Sequence, residues 1–321
     1  MKLINIFRIE SWKKRLSFPF EYLKVKNLIN RYYKNYFIIA PASNLGETVI
    51  TVSLMNEFYK KYHGQNLLLV NNRMYEIAKL FKGVDEVLPI YAYYAIKKQD
   101  IKSISKGNIF PIFEKYLDSN FSPENMVDSH RYLLGLPKDI QPTKIKLDNN
   151  LILNIRNKYN IKPNTVLLSP EANSLNYKIL SPSFWKKLAN ILTEKGYNIL
   201  INTKDKNSYK EYNLIFDSIL NTCAIAENCK CVIGFRSGLM DIFALSVSKK
   251  MFIIYPSDNY QIYLFMSNKE IKTYNNLSCS QWILHYSSLK TMFNNYNITE
   301  TMFTGNEQLL IKETFDFIKK T

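Results

Sequence analysis

Short apolar runs alternate along this chain with stretches of helical period. Residues 36–41 form an apolar strand, 42–46 a loop, and 47–61 a helical pattern whose apolar members include Val49, Val52, Leu54, Met55 and Phe58. Gly64 stands where a helix stop belongs. A strand at 66–70, a helix at 73–81 and a strand at 84–90 follow. Residues 91–142 read as mostly helix and loop, with Gly135-Leu136-Pro137 ending a helix, and 143–147 as a short extended link. After a helix at 151–159 the alternation restarts. It runs through a strand at 165–169, a helix at 183–195 closed by Gly196, a strand at 197–202 and a helix around 209–219. A helical turn at 224–228, a strand at 231–233, a further helix and a strand at 250–255 complete it; an amphipathic helix covers 308–319.

Strands alternating with helices predict an α/β protein of two Rossmann-like, doubly wound parallel sheets. The expected division is a leader over 1–35, a first α/β domain over 36–150, a second over 151–300, and a C-terminal helix in 301–321 packing back on the first domain. A length of 321 residues suits two cores better than one.

Charge changes this picture. Forty-three basic against 27 acidic residues give a formal charge of +16, which favours polyanionic partners. The leader interleaves Arg8, Lys13, Lys14, Arg15, Lys24 and Lys26 with Trp12, Leu16, Phe18, Phe20, Tyr22 and Leu23. That composition suits an anionic membrane surface, or equally a solvated segment packed on a domain, and Pro19 divides it. No known nucleic-acid motif accompanies the charge, so no specific nucleic-acid partner is expected. No apolar run reaches the ~18 residues of a membrane span, and the N-terminus lacks the pattern of a signal peptide. The expected location is the cytoplasm, peripheral at the inner face of the membrane. Cys223, Cys229, Cys231 and Cys279 have no zinc-knuckle spacing and read as reduced structural thiols.

The most telling segment is 231–244. A buried strand runs into Gly234-Phe235-Arg236-Ser237-Gly238, which opens a helix. Free N–H groups and the positive end of a helix dipole hold anions, phosphate above all. A cation at that end is opposed by the dipole, by roughly 0.3–1 kcal/mol. Arg236 is therefore poorly placed for stability alone and well placed to grip a diphosphate; the plainer reading is a surface Arg beside an ordinary turn.

Three segments, 45–51, 167–172 with Lys178 and 184–189, and 234–244, resemble in this order the GT-B glycosyltransferases of the heptosyltransferase type, family 9. Leu45-Gly46-Glu47-Thr48-Val49-Ile50-Thr51 is similar to the family's glycine–aspartate loop opening the first helix, with a Thr a little over one turn later. Leu167-Leu168-Ser169-Pro170-Glu171-Ala172, then Lys178 and Phe184-Trp185-Lys186-Lys187-Leu188-Ala189, follow the family's order of strand, phosphate loop, Lys and aromatic-led helix. Residues 234–244 are similar to its Asp-Ser/Thr-Gly-Leu-x-His helix start. The likeness spans roughly residues 36–256. Two departures stand out. Glu47 replaces the usual Asp, and Arg236 and Asp241 replace the usual Asp and His, so donor identity does not carry over.

The resemblance implies sugar transfer from a nucleotide-diphosphate donor to a surface-glycan or lipid-linked acceptor, inverting, without metal or other cofactor. It places acceptor and base on the first domain, facing the nucleotide domain across a cleft. Glu47 is the expected base, with Asn44, Gly46 and Thr51 in the acceptor loop, although a first-turn Glu is also favoured by the dipole alone. Lys178 and Arg236 are the expected diphosphate clamps, helped by Ser169 and by the backbone N–H groups of Ser237, Gly238 and Leu239. Glu171 could hold a ribose or sugar hydroxyl, or pair with Lys178 or Arg236. Asp241 could orient Arg236 or Lys178, touch the sugar, or balance the dipole. His130, one of three histidines, reads as structural. There is no Asp-x-Asp pair to hold a metal–nucleotide complex. The competing readings are a nucleotide-sugar epimerase, which would want a Gly-x-Gly-x-x-Gly turn, and a basic α/β protein binding RNA or anionic membrane, such as an inactive relative.

Overall fold

A computed structural model describes residues 23, 27, 36–40, 45–63, 65–70, 74–89, 109–111, 124–172, 180–256, 284–285 and 287–321. The chain divides into two compact units, one of Met1–Ser122 with His130–Ile140, the other of Pro123–Ser129 with Gln141–Thr321. Asn44, Lys178, Cys279 and the leader apart from Leu23 and Asn27 lie outside the described residues.

The first unit holds β1 (Tyr36–Ala40), α1 (Leu45–Tyr62), β2 (Gln65–Val70), α2 (Tyr75–Ala78), β3 (Glu86–Pro89) and β4 (Ile109–Pro111). All the strands pair in parallel, in the order β3-β2-β1-β4. Helix α1 is buried on every side from Thr48 to Met55, where Val, Ile, Leu and Met alternate with the small polar residues Thr48, Thr51 and Ser53. A turn at Gly83 with φ +82° leads into β3, and a Cβ there would clash with the Met55 carbonyl, so only glycine fits. Helix α3 (Met126–Leu133) contributes its second half, from His130, to this unit.

The second unit comprises α4 (Asn149–Lys158), β5 (Thr165–Ser169), α5 (Pro182–Glu194), β6 (Asn198–Asn202), β7 (Asn213–Ile215), α6 (Ile219–Asn228), β8 (Cys231–Phe235), α7 (Gly238–Ser246), β9 (Lys250–Tyr255), α8 (Leu289–Met292), β10 (Ile298–Met302) and α9 (Glu307–Lys319). Its sheet is six-stranded and parallel, ordered β10-β9-β8-β5-β6-β7. β5 and β8 are buried along their whole length, as central parallel strands covered on both faces must be. Phe184 and Trp185 open α5 as an edge-to-face pair at 5.4 Å, both fully buried.

Three expectations change. The helix expected around 209–219 is a turn followed by edge strand β7, and α6 begins later, where the Ser218 hydroxyl caps it by accepting the Asn221 N–H. Strands β4 and β10 are additions; β10 reads Ile-Thr-Glu-Thr-Met and carries little apolar signal. The C-terminal helix, expected on the first domain, belongs to the second unit. Leu310, Phe317 and Ile318 of α9 lie in its core, with the Phe317 ring 5.3 Å from Phe252.

Candidate active site

Each sheet reverses its strand order once. In the second unit β6 and β8 lie on opposite sides of β5; in the first, β2 and β4 flank β1. Ligands of doubly wound sheets bind outside the carboxyl ends of the strands at such a reversal. The two candidate segments stand there: Glu47 follows β1, while Ser169 ends β5 beside β8 and the start of α7.

At the second reversal Ser169 pairs in register with Gly234. A Cβ on Gly234 would lie 3.2 Å from Ser169 Cβ and 2.7 Å from Met240 Cε. Glycine here lets the first turn of α7 seat closely on the strand ends. Ser237 is the N-cap of α7, in extended conformation, yet its side chain caps nothing. Its Oγ is buried without a hydrogen-bond partner, on a residue only 8% exposed. The Met240 and Asp241 N–H groups return to the Ser237 carbonyl, so those of Gly238 and Leu239 precede the helix's own bonds. A buried hydroxyl donor and a dipole end therefore stand together at the point where a ligand is expected.

Arg236, expected to grip a diphosphate, spends its guanidinium inside the protein. Nη1 and Nη2 donate to the two Asp241 carboxylate oxygens, each at 2.8 Å. Nη1 also donates to the Ser237 carbonyl at 3.0 Å and Nε to the Ser287 carbonyl at 3.1 Å. The side chains of Arg236 and Asp241 are 12% and 2% exposed. Asp241, one helical turn into α7, is thus the counter-charge of the Arg236 guanidinium. Burial pushes the Asp241 carboxyl up, with Arg236 opposing the rise. Burial works against the Arg236 charge too, but Asp241, Tyr255 and Glu300 outweigh it and keep the guanidinium protonated.

The pair continues into a polar network that sequence reasoning did not find. Tyr255 Oη, at the end of β9, lies 2.8 Å from both the Ser287 carbonyl and a Glu300 carboxylate oxygen. Glu300 on β10 accepts the Leu289 N–H at 2.7 Å and the Ser288 hydroxyl at 2.7 Å. These bonds fix the start of α8 to β10 and hold the carbonyl on which Arg236 leans. Glu171 is likewise engaged within the protein: its carboxylate accepts the Thr203 hydroxyl and the N–H groups of Lys204 and Asp205, stapling the loop after β6 to the loop after β5.

In the first unit Glu47 is the acidic residue of the first turn of α1 and is half-buried. Gly46 precedes it in the same turn. Thr51, expected in the acceptor loop, is fully buried; its hydroxyl donates to the Glu47 carbonyl at 2.9 Å and lies 3.2 Å from His130 Nδ1. Burial lowers the His130 pKa to about 3, so the ring stays neutral. Cys223, Cys229 and Cys231 are buried free thiols, and burial pushes Cys223 and Cys231 up to about 12. Among the described residues no group of three or more His, Cys, Asp or Glu could hold a metal ion, and no helix is long and apolar enough to cross a membrane.

No family model and no curated protein matches the chain by sequence. Solved structures do match. Heptosyltransferase II of E. coli, an ADP-heptose lipopolysaccharide enzyme, superposes with a TM-score of 0.62 at 13% identity, over 88% of this chain and 98% of its own. A family 9 glycosyl transferase from Veillonella parvula gives 0.57 at 8% identity, over 89% and 98%. E. coli heptosyltransferase WaaC with ADP gives 0.56 at 13% identity, over 89% and 99%. With two parallel α/β sheets, each reversing strand order once, the chain has the GT-B fold of the heptosyltransferase-type glycosyltransferases.

Proposed function

We propose that the protein is a glycosyltransferase moving a sugar from a nucleotide-diphosphate donor to a hydroxyl of a surface glycan or lipid-linked acceptor. The observation that carries this reading is the start of α7: an N-cap serine with a buried, unpartnered hydroxyl, at the strand-order reversal of a sheet with the heptosyltransferase fold. The Ser237 hydroxyl and the Gly238 and Leu239 N–H groups hold the diphosphate, with Ser169 beside them and Lys178 supplying a positive charge. Arg236 and Asp241 form the frame beneath, each cancelling the other's charge. Glu47 takes the proton of the acceptor hydroxyl. The acceptor oxygen bonds the anomeric carbon as the bond from that carbon to the diphosphate oxygen breaks. The nucleotide diphosphate leaves with the electron pair, and its growing charge meets the helix dipole. Attack opposite the leaving group inverts the anomeric centre, and the groups named suffice without a metal. The basic leader keeps the enzyme at the inner membrane face, where a lipid-linked acceptor would be presented.

Thermal unfolding with a panel of nucleoside diphosphates tests the reading. ADP comes first, because the neighbour WaaC is described with ADP. One base should stabilise the protein saturably, by about 2.7 kcal/mol at a hundred times its dissociation constant, and the matching nucleoside much less. Salt-labile stabilisation by any polyanion, RNA or anionic vesicles alike, would instead identify a basic binding protein.

A further inference from the structure

We propose that His130, acting through the hydroxyl of Thr51, is a positioning residue that fixes the first turn of α1 and with it the carboxylate of Glu47. The inference rests on the reading of Glu47 as the base. Three atoms carry it: Thr51 Oγ1, the Glu47 carbonyl oxygen 2.9 Å away, and His130 Nδ1 3.2 Å away. Thr51 and His130 are both fully buried. A hydroxyl has one proton. Thr51 gives it to the Glu47 carbonyl, so His130 must donate in turn, and Nδ1 carries the ring hydrogen.

A threonine bonding the carbonyl one turn back is common in helices and needs no outside partner. Here a second element, 79 residues away in sequence, supplies an imidazole that burial keeps neutral. A neutral ring in the Nδ1–H form is a fixed donor at any working pH. It holds the Thr51 hydroxyl turned toward the Glu47 carbonyl. First turns of helices are loosely held, because their N–H groups lack intrahelical partners, and Glu47 lies in such a turn. Apolar side chains of the same shape would stabilise the core nearly as well as this polar pair. Its use is therefore geometric: a base must stay within hydrogen-bond reach of the proton it removes.

The test uses the full-length protein. In imidazole ¹⁵N spectra at pH 7, His130 should show a protonated Nδ1 and an unprotonated Nε2. Thr51→Val keeps the shape and removes the hydroxyl; it should slow single-turnover transfer about 10- to 100-fold with donor affinity unchanged. His130→Leu should slow it equally. His130→Asn, whose amide donates from the place of Nδ1, should restore most of the rate. An Nε2–H tautomer, a wild-type rate for Thr51→Val, or equal losses in His130→Leu and His130→Asn would each overturn the proposal. Glu47→Gln separates the two readings. If it is slow while Thr51→Val is not, the positioning role alone falls; if Glu47→Gln itself turns over like wild type, the base assignment falls and the positioning role with it. Should His130→Leu fail to fold, the wild-type tautomer and Thr51→Val still decide.

Discussion

Removing the Arg236 side chain leaves the Asp241 carboxylate, 2% exposed, without its counter-charge. Breaking a buried pair from one side costs about 3–5 kcal/mol, and Asp241→Ala, which strands the guanidinium, should cost a similar amount. Replacing both partners with apolar groups is far milder. Arg236→Met with Asp241→Leu removes both charges and leaves two carbonyls, of Ser237 and Ser287, short of one donor each. The Ser237 carbonyl keeps its bonds from Met240 and Asp241 N–H, so the double variant should lose only about 1–3 kcal/mol. Urea unfolding of wild type, Arg236→Met, Asp241→Leu and the double variant reads the coupling, expected to be at least about 3 kcal/mol. Arg236→Ala should also regain stability as pH falls, because a protonated Asp241 is cheap to bury. The same double variant decides what Arg236 does for the donor. If its charge belongs to the frame, diphosphate affinity should survive in the double variant. A loss of about 1.5–3 kcal/mol for the diphosphate but not for the nucleoside, in a variant that folds, would show that Arg236 grips phosphate; strict additivity of the two single variants would refute the pairing itself.

Two further expectations follow from other parts of the molecule. His130 is held neutral to about pH 3, far below the ordinary histidine value of ~6.5, so the unfolded chain binds its proton first as pH drops. Stability should be unaffected above about pH 6.5 and fall through that window by up to about 1.4 kcal/mol per pH unit, a slope that His130→Asn removes in acid unfolding curves. Deleting the first ~30 residues should leave the two-unit body folded and abolish co-sedimentation with anionic liposomes, since each basic residue near the surface contributes about 1 kcal/mol. Full-length protein that shows no preference for anionic over neutral vesicles would remove the membrane role of the leader.

The central strands and the site turns were legible because their signals are local. β5 and β8 are built on the apolar runs Val166-Leu167-Leu168 and Cys231-Val232-Ile233, and Gly234 to Gly238 announces a tight turn into a helix. The edges were not. β7 and β10, Asn-Leu-Ile and Ile-Thr-Glu-Thr-Met, are short and half polar, and they are strands only because a neighbour offers backbone groups to pair with. The same limit governs the site. Ser237 and Glu47 stood out by position at helix starts, but bonds that engage Arg236 and Glu171 run 51 residues to Ser287 and 32 residues to Thr203. A motif read alone gives Arg236 to the ligand; only the fold shows the carboxylate and carbonyls that take up its hydrogen bonds. The neighbouring Ser237 carbonyl and Asp241, five residues on, are the partners close to Arg236 in sequence.

Single-turnover transfer by wild type and Glu47→Gln decides whether the protein moves sugar with Glu47 as base. Once the stabilising nucleotide names the donor, labelled sugar is followed from that donor into a cell-envelope acceptor. Glu47→Gln keeps the shape and the hydrogen bonding but not the basicity. The expected result is acceptor-dependent transfer by wild type, slowed about 10²- to 10⁴-fold in the variant, with donor affinity and melting temperature little changed. Wild-type protein that binds the donor but moves no sugar to any envelope fraction, or a variant within a few-fold of wild type, would contradict it.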